Sequence, residues 1–354
     1  MKFIWSLPVI LYLLLPQQIE AKSSNWRNGL NVPLYVRTSV SFGYDSNFLR
    51  LSSAEKNDAD YNPFIIGDTD TYDSAVIRPE FRLNYNPVLF NNDETRFTFT
   101  TSRVKFGQSN EKSYSVFSFL VEQHLGPYQW LRFGYVNAPQ VLLRYYRDKD
   151  SISRDILTSN FSNEVIYLTY SFKVYKKSWL RIKPRLNRQY FNQYFTEFDT
   201  EVSTLELRGY TKLIPSFKLS AWYAFGKGDN TSFDDGLIST TIDRSYDMSI
   251  VGAQLIHYPD YFFKSASLSI SADHREYKGE VPDDPLHTGR EHIDYKASVL
   301  LNKDFLEDIS LQFKLNYRHR TTESEFNWVE SEKSFSKFEF WLKVNYDFAL
   351  DFYY

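Results

Sequence analysis

The chain has 354 residues, with 42% hydrophobic, 24% charged and 18% aromatic content, 41 Lys and Arg against 44 Asp and Glu, and no cysteine. A mean hydropathy of −0.45 excludes a bundle of membrane helices, each of which needs about 20 mostly apolar residues in succession. A net charge of −3 supplies no basic surplus for nucleic acid, and the missing cysteines remove disulfide frameworks, thiolate nucleophiles and zinc–cysteine sites.

The first segment addresses the compartment. Met1 and Lys2 open a short positive region, Phe3 to Leu15 is apolar, and Ile19-Glu20-Ala21 ends on a small residue. That pattern predicts a cleaved secretory signal peptide over 1–21, followed by a short periplasmic leader over 22–32. The apolar run is short for a helix crossing a bilayer of about 30 Å.

Past residue 32 the dominant period is two, the signature of strands with one apolar and one wet face. Leu34, Val36, Thr38, Val40, Phe42 and Tyr44 alternate with Tyr35, Arg37, Ser39, Ser41 and Gly43. Between 75 and 85, Ile77, Pro79, Phe81 and Leu83 are set against Arg78, Glu80, Arg82 and Asn84. Further stretches lie near 96–106, 114–125, 129–136 and 164–174. In 180–187, Leu180, Ile182, Pro184 and Leu186 oppose Arg181, Lys183, Arg185 and Asn187. Stretches at 202–212, 217–226, 245–258, 264–275 and 292–302 come next. In 309–320, Ile309, Leu311, Phe313, Leu315 and Tyr317 face away from Lys314, Arg318 and Arg320. With 335–354 the chain holds about fourteen such elements. Pro79 and Pro184 fall inside two of them and are expected at bulges or strand ends, because proline cannot donate to a ladder. Near Arg103 and Gln254 the alternation slips or puts a polar group outward.

Sandwich strands run about 5 to 6 residues, whereas these run roughly 9 to 13, the length a tilted strand needs to cross a bilayer. Connections alternate in length. Gly126 to Tyr128, Tyr175 to Ser178, Leu213 to Pro215 and Lys303 to Glu307 are short; Asp45 to Asp73, Asn137 to Asn163, Lys227 to Arg244 and Lys278 to Glu291 are long. The reading is an all-β chain whose residues 33–354 form a closed antiparallel transmembrane β-barrel of about fourteen strands, with short periplasmic turns and long extracellular loops.

The last strand adds a more specific signal. Tyr346, Phe348, Leu350, Phe352 and Tyr354 stand in phase, and the chain stops on an aromatic. This resembles the C-terminal recognition signal of bacterial outer-membrane β-barrel proteins, a porin-like class. The resemblance implies a location in the outer membrane of a two-membrane bacterium, contact with outer-membrane lipid, and recognition of the C-terminal strand by the barrel-assembly machinery. Tyr44, Tyr85, Tyr135, Tyr170, Tyr223, Tyr246, Tyr317 and Tyr346 sit on the faces read as apolar and are expected to form girdles at the headgroup boundary.

Charge facing lipid at mid-bilayer costs about 2 to 4 kcal/mol for Arg or Lys, so the polar faces must turn inward. The expected lumen residues are Arg78, Glu80, Arg82, Arg181, Lys183, Arg185, Glu206, Arg208, Lys314, Arg318, Glu339 and Lys343, with Arg188, Arg320, Glu164, Asp273 and Asp294 beside them. A barrel of this width admits water unless a loop folds in. The functional expectation is a passive channel for small polar or anionic solutes; the alternative is a non-conducting barrel for surface display, adhesion, assembly or secretion.

Catalytic constellations are thin, and no enzyme, cofactor or metal role is expected. Ser271 and His274 are the nearest nucleophile–base pair, but their odd spacing puts them on opposite faces of a strand. Asp283, Asp284, His287, Glu291 and His292 in one loop, and Asp68, Asp70 and Asp73 in another, could offer oxygens to a divalent cation but lack the EF-hand spacing. Solvated loop charge is the simpler account of both.

Overall fold

The computed structural model describes residues 34–350 except 60, 91, 92, 151, 153, 154, 260, 280–285 and 287. The signal-peptide and leader segments, Phe352 and Tyr354, and Asp283, Asp284 and His287 lie outside the described residues, and Leu350 is described as backbone only. In chain order the strands are β1 (Leu34–Asp45), β2 (Ser74–Tyr85), β3 (Val88–Phe90), β4 (Asp93–Phe106), β5 (Tyr114–Gly126), β6 (Gln129–Arg147), β7 (Ile156–Tyr175) and β8 (Ser178–Phe191). They continue as β9 (Thr200–Ile214), β10 (Phe217–Asn230), β11 (Tyr246–His257), β12 (Ser265–Tyr277), β13 (Glu291–Asp304), β14 (Ile309–Glu323) and β15 (Phe335–Leu350). Two short helices, α1 (Ser53–Ala59) and α2 (Asn327–Lys333), lie in connections.

Every neighbouring pair is antiparallel. β3 is a three-residue strand in the first turn; the other fourteen close on themselves, because β2 pairs with β4 and β1 pairs with β15. The closing ladder runs from Leu34 opposite Leu350 to Asp45 opposite Glu339, and it carries Tyr346 and Phe348 opposite Thr38 and Val36. Closure leaves no edge whose backbone groups would meet lipid unpaired, at several kcal/mol each. Arg37 latches the seam from inside, donating to both carboxylate oxygens of Asp347.

One rim carries the connections 127–128, 176–177, 215–216, 258–264 and 305–308. The other carries 46–73, 148–155, 192–199, 231–245, 278–290 and 324–334. The expected loop from Asn137 to Asn163 is a correction: most of it is strand. β6 and β7 continue upward as a tall hairpin, with register shifts between Ala138 and Val141 and between Leu142 and Arg144.

Two further expectations are corrected. Pro79 and Pro184 sit mid-strand without bulges. Pro79 pairs with Val40 on β1, while the β2–β4 ladder skips it and resumes in the same register; Pro184 pairs with Leu205 and interrupts only the β7 side. In an antiparallel strand each residue points its N–H to one neighbour, so a proline breaks one ladder and spares the other. Tyr246, expected in a girdle, instead faces inward and is buried against Val202 and Met248, because it shares a face with Met248 and Ile250.

The outer surface is an apolar belt: Phe42, Phe99, Phe133, Leu168, Leu207, Phe225, Val251, Ile270, Phe313 and Leu342 are all exposed. In water a continuous surface of this kind would be an aggregation site; against hydrocarbon it is the solvated face. Rings stack along the turn rim, Tyr85 on Phe97 and Phe97 on Phe119, with Tyr346 edge-on to Phe348.

Candidate functional site: a basic lumen narrowed by the first loop

The inner wall is organised around single carboxylates, each holding two or three cations. Glu80 is within 2.8 Å of Lys343, 3.3 Å of Arg78 and 3.5 Å of Arg82. The Lys343 contact skips the intervening β1, which only the concave face allows. Glu206 holds Arg181 at 2.7 Å and Arg208 at 3.7 Å, with Lys183 opposite it on β8. Asp294, 1% exposed, accepts paired N–H bonds from both Arg318 and Arg320. Lys337 bridges Asp45 at 2.6 Å and Glu339 at 2.7 Å, and Asp273 holds Arg275 and Lys296.

Glu80, Glu206, Asp273 and Asp294 each serve more than one cation, and basic residues outnumber acidic ones by about two to one on inward positions. The chain as a whole is acidic at −3. Aromatic rings support the surplus: Arg208 lies 3.9 Å over Trp222, Lys183 4.3 Å over Tyr167 and Lys218 4.7 Å over Trp179. Trp222 lies across Gly252 on the next strand, where a Cβ would collide with its ring.

Segment 46–73 folds into the barrel. Phe48, Leu49 and Leu51 are each 1% exposed and pack on inward-facing Val76, Val104 and Phe106, with Tyr114 and Trp341 alongside. The buried Asn47 side chain binds the turn to the wall, donating to the carbonyls of Leu51 and of Ser336 on β15 and accepting from Leu51 N–H. Ser52 and Glu55 cap α1 reciprocally, each side chain accepting the other's backbone N–H. Glu55 then pairs with Arg144 on β6, whose other nitrogen donates to the Arg50 carbonyl at 2.7 Å. The turn is thus held from β15 and from β6.

Arg50 stands at the tip of that turn. Its backbone is in the left-handed region (φ 57), where a side chain costs about 1 kcal/mol or more, so the surrounding contacts fix it there. Its guanidinium makes no ion pair with a described residue and borders two cavities, one of about 360 Å³ toward the loop rim and one of about 410 Å³ toward the turn rim. Burial, followed by repulsion from Arg318 and Arg320, pulls its pKa down to about 10, which leaves it charged at neutral pH.

Elsewhere in the loops, Lys112 donates to the carbonyls of Leu142 and Leu143 at the β6 bulge, and burial holds it well below the ordinary lysine range. Burial pushes Asp199 up to about 6, against the Phe191 N–H that its carboxylate accepts. Glu197 is raised by burial as well.

Arg78, Glu80, Arg82, Arg181, Lys183, Arg185, Glu206, Arg208, Lys314, Arg318, Glu339 and Lys343 all occupy inward positions, in three groups centred on Glu80, Glu206 and Asp294 with Glu339 beside the last. Arg188 and Glu164, also expected inside, face outward: they pair with each other across β7 and β8, and the chain Tyr135–Glu164–Arg188–Glu201–Tyr190 crosses four strands. It lies where the tall hairpin leaves the apolar belt, a height at which polar groups meet headgroups. Ser271 points inward and His274 outward, 2.9 Å from Glu291. Asp68 accepts from Tyr145 and Ser109 while Asp73 accepts from Tyr44, so the two do not converge, and no group of three or more potential metal ligands occurs among the described residues. Arg50 was not singled out from the sequence; its signal was the run Phe48-Leu49-Arg50-Leu51, apolar bulk around one cation inside a polar loop.

A closed fourteen-stranded wall with an apolar exterior, an ionic interior and alternating short and long connections decides the class. This is the fold of an outer-membrane β-barrel. No family model matches the chain and no curated protein matches it. Among solved structures, the barrel is similar to a loop-deletion mutant of OmpT, an outer membrane protein of Vibrio cholerae, with 9% identity over 90% of this chain and 99% of that one (TM-score 0.48). It is similar to the outer membrane channel DcaP of Acinetobacter baumannii, with 12% identity over 93% and 100% (TM-score 0.47), and to an anion-selective porin from Comamonas acidovorans, with 9% identity over 90% and 99% (TM-score 0.41).

Proposed function

We propose that this barrel is a passive outer-membrane channel for small anionic solutes, with Arg50 at its narrowest level. One observation carries the reading: the acid-centred clusters leave a cationic surplus along the inner wall of an acidic protein, and Arg50, which has no ion pair among the described residues, stands between the two cavities it borders. A cation surplus inside low-dielectric walls focuses the field and raises the local concentration of anions. Residues 1–21 serve as a cleaved export signal, and Tyr346, Phe348, Leu350, Phe352 and Tyr354 as the strand read by the assembly machinery.

The test is a planar bilayer holding refolded mature protein under a potassium chloride gradient. Stable steps with a reversal potential displaced toward chloride support the reading. An electrically silent barrel with heat-modifiable gel migration would return the choice to surface display or assembly, and cation preference would remove the anion claim.

A further inference from the structure

The register of the sheet sets uncharged polar side chains side by side on the inner wall. Ser220 on β10 pairs with Gln254 on β11, Gln254 with Ser269 on β12, Ser269 with Ser298 on β13, and Ser298 with Asn316 on β14. Neighbouring strands lie about 4.8 Å apart, so the row runs roughly 20 Å. Ladder rungs cross the strands at right angles and the strands of a barrel are tilted, so the row climbs along the pore axis as it turns. It is a ramp and not a ring. Stacked aromatics stand at one end: Trp179 and Tyr210, with ring centroids 5.2 Å apart and planes 8° apart, are in register with Ser220. Glu339 closes the other end, accepting from Asn316 at 3.1 Å.

The protein leaves most of this row's hydrogen bonds unmade. The Ser220 hydroxyl is 4% exposed and has no partner, and Gln254, Ser269 and Ser298 make no side-chain hydrogen bond among the described residues. Cations border the row on both sides. Lys296, Arg318 and Lys337 lie in the rung on its loop side, and Lys218 and Lys314 in the rung on its turn side. Ser269, Ser298 and Asn316 line the cavity of about 410 Å³ that Arg50 borders.

Side chains of this kind add nothing to the field. The flanking cations already draw an anion in, and what the row supplies is a series of neutral donors and acceptors. Each can exchange its water for a solute hydroxyl at little net cost, whereas a methylene in the same place leaves the group unpaired. A wall that hydrogen-bonds hydroxyl groups therefore discriminates against an analogue that lacks them. Repetition suits passage, because equivalent weak positions in series let a solute leave each one.

We infer that this row is a hydroxyl-reading track and that the solute is a polyhydroxylated anion, the chemistry of a sugar acid. The flanking cations hold its charge while its hydroxyl groups step along the row. The inference rests on the channel reading and names its solute class.

Glucarate and adipate are the probes, dicarboxylates of equal charge and chain length that differ only in their hydroxyl groups. With the potassium salt of one on each side of a bilayer holding refolded mature protein, the reversal potential is expected to show glucarate permeating better by about threefold or more. Gln254→Leu with Ser269→Ala and Ser298→Ala should bring that ratio to about one, and Ser298→Ala alone should lower it by a smaller factor. Thr100→Val, an inward position off the row, should leave it unchanged. Each variant should retain chloride conductance, which checks folding and insertion. Equal passage of the two probes through a barrel that prefers chloride to potassium, or a ratio that neither row variant moves, would overturn the track and leave the channel reading standing. A barrel silent in chloride would end both.

Discussion

The two sides of the barrel interior solve different problems. On β1, β2, β4 and β5 the loop-side wall is dry: Val76, Val104 and Phe106 face inward, and Phe48, Leu49 and Leu51 of the first loop cover them. On β8 through β14 the wall is wet, with cations spaced around Glu206, Asp273 and Asp294. The most deeply buried inward apolar cluster lies where the first loop covers it. The lesson is that interior-facing polarity in a wide barrel reports local solvent access, strand by strand.

The comparison breaks most sharply at the dry side. Phe48→Ala removes a ring buried at 1% and should cost about 3–5 kcal/mol, all of it in loop docking. The expected outcome is a barrel that still migrates as folded, with segment 46–73 newly open to protease and a raised conductance. Unchanged protection of that loop would contradict the packing described.

On the wet side, Asp294→Asn leaves two arginines enclosed without their charge partner. Breaking a buried pair from one side costs about 3–5 kcal/mol, so denaturant-induced unfolding should move to clearly lower concentration. The outer surface sharpens the contrast: Phe313→Lys puts a cation into the apolar belt and should lose about 2–4 kcal/mol, read as failed or slowed insertion into vesicles, whereas Asn316→Lys on the inner face should insert normally.

The smallest effect concerns the loop 192–199. Asp199 titrates near 6, above its unfolded value, so it adds stability that is complete below pH 4 and is lost as pH rises through about 6. Thr231 N–H donates to the Asp199 carbonyl, and its exchange protection should fall between pH 5 and 7 once intrinsic rates are divided out. Asp199→Asn keeps an oxygen for the Phe191 N–H and should flatten that dependence, worth on the order of 1 kcal/mol at neutral pH after solvent screening.

Much of this was legible in the residues. Period-two alternation located the fourteen spanning strands, since a lipid-facing wall tolerates few exceptions. The slip at Arg103 is the informative one: Val104 and Phe106 turn inward beneath the first loop, while Arg103 and Lys105 face outward near the loop rim. Gln254 points inward between Ser220 and Ser269 and breaks nothing. Tyr246 was misread because tyrosine fits both a headgroup boundary and an aromatic support for Arg275, and Arg188 because alternation alone does not mark where the belt ends. The inward fold of the first loop depends on Asn47, Glu55 and Arg144, which lie far apart in sequence and signal nothing singly.

Because the chain has no cysteine, Arg50→Cys places one thiol at the level where the two cavities meet. The account predicts that a negatively charged methanethiosulfonate reagent, added from either side of a bilayer, modifies it and lowers single-channel conductance in one step. Full modification with conductance unchanged, or a thiol that neither compartment can reach, would contradict the assignment of Arg50 to the narrowest point of an anion path.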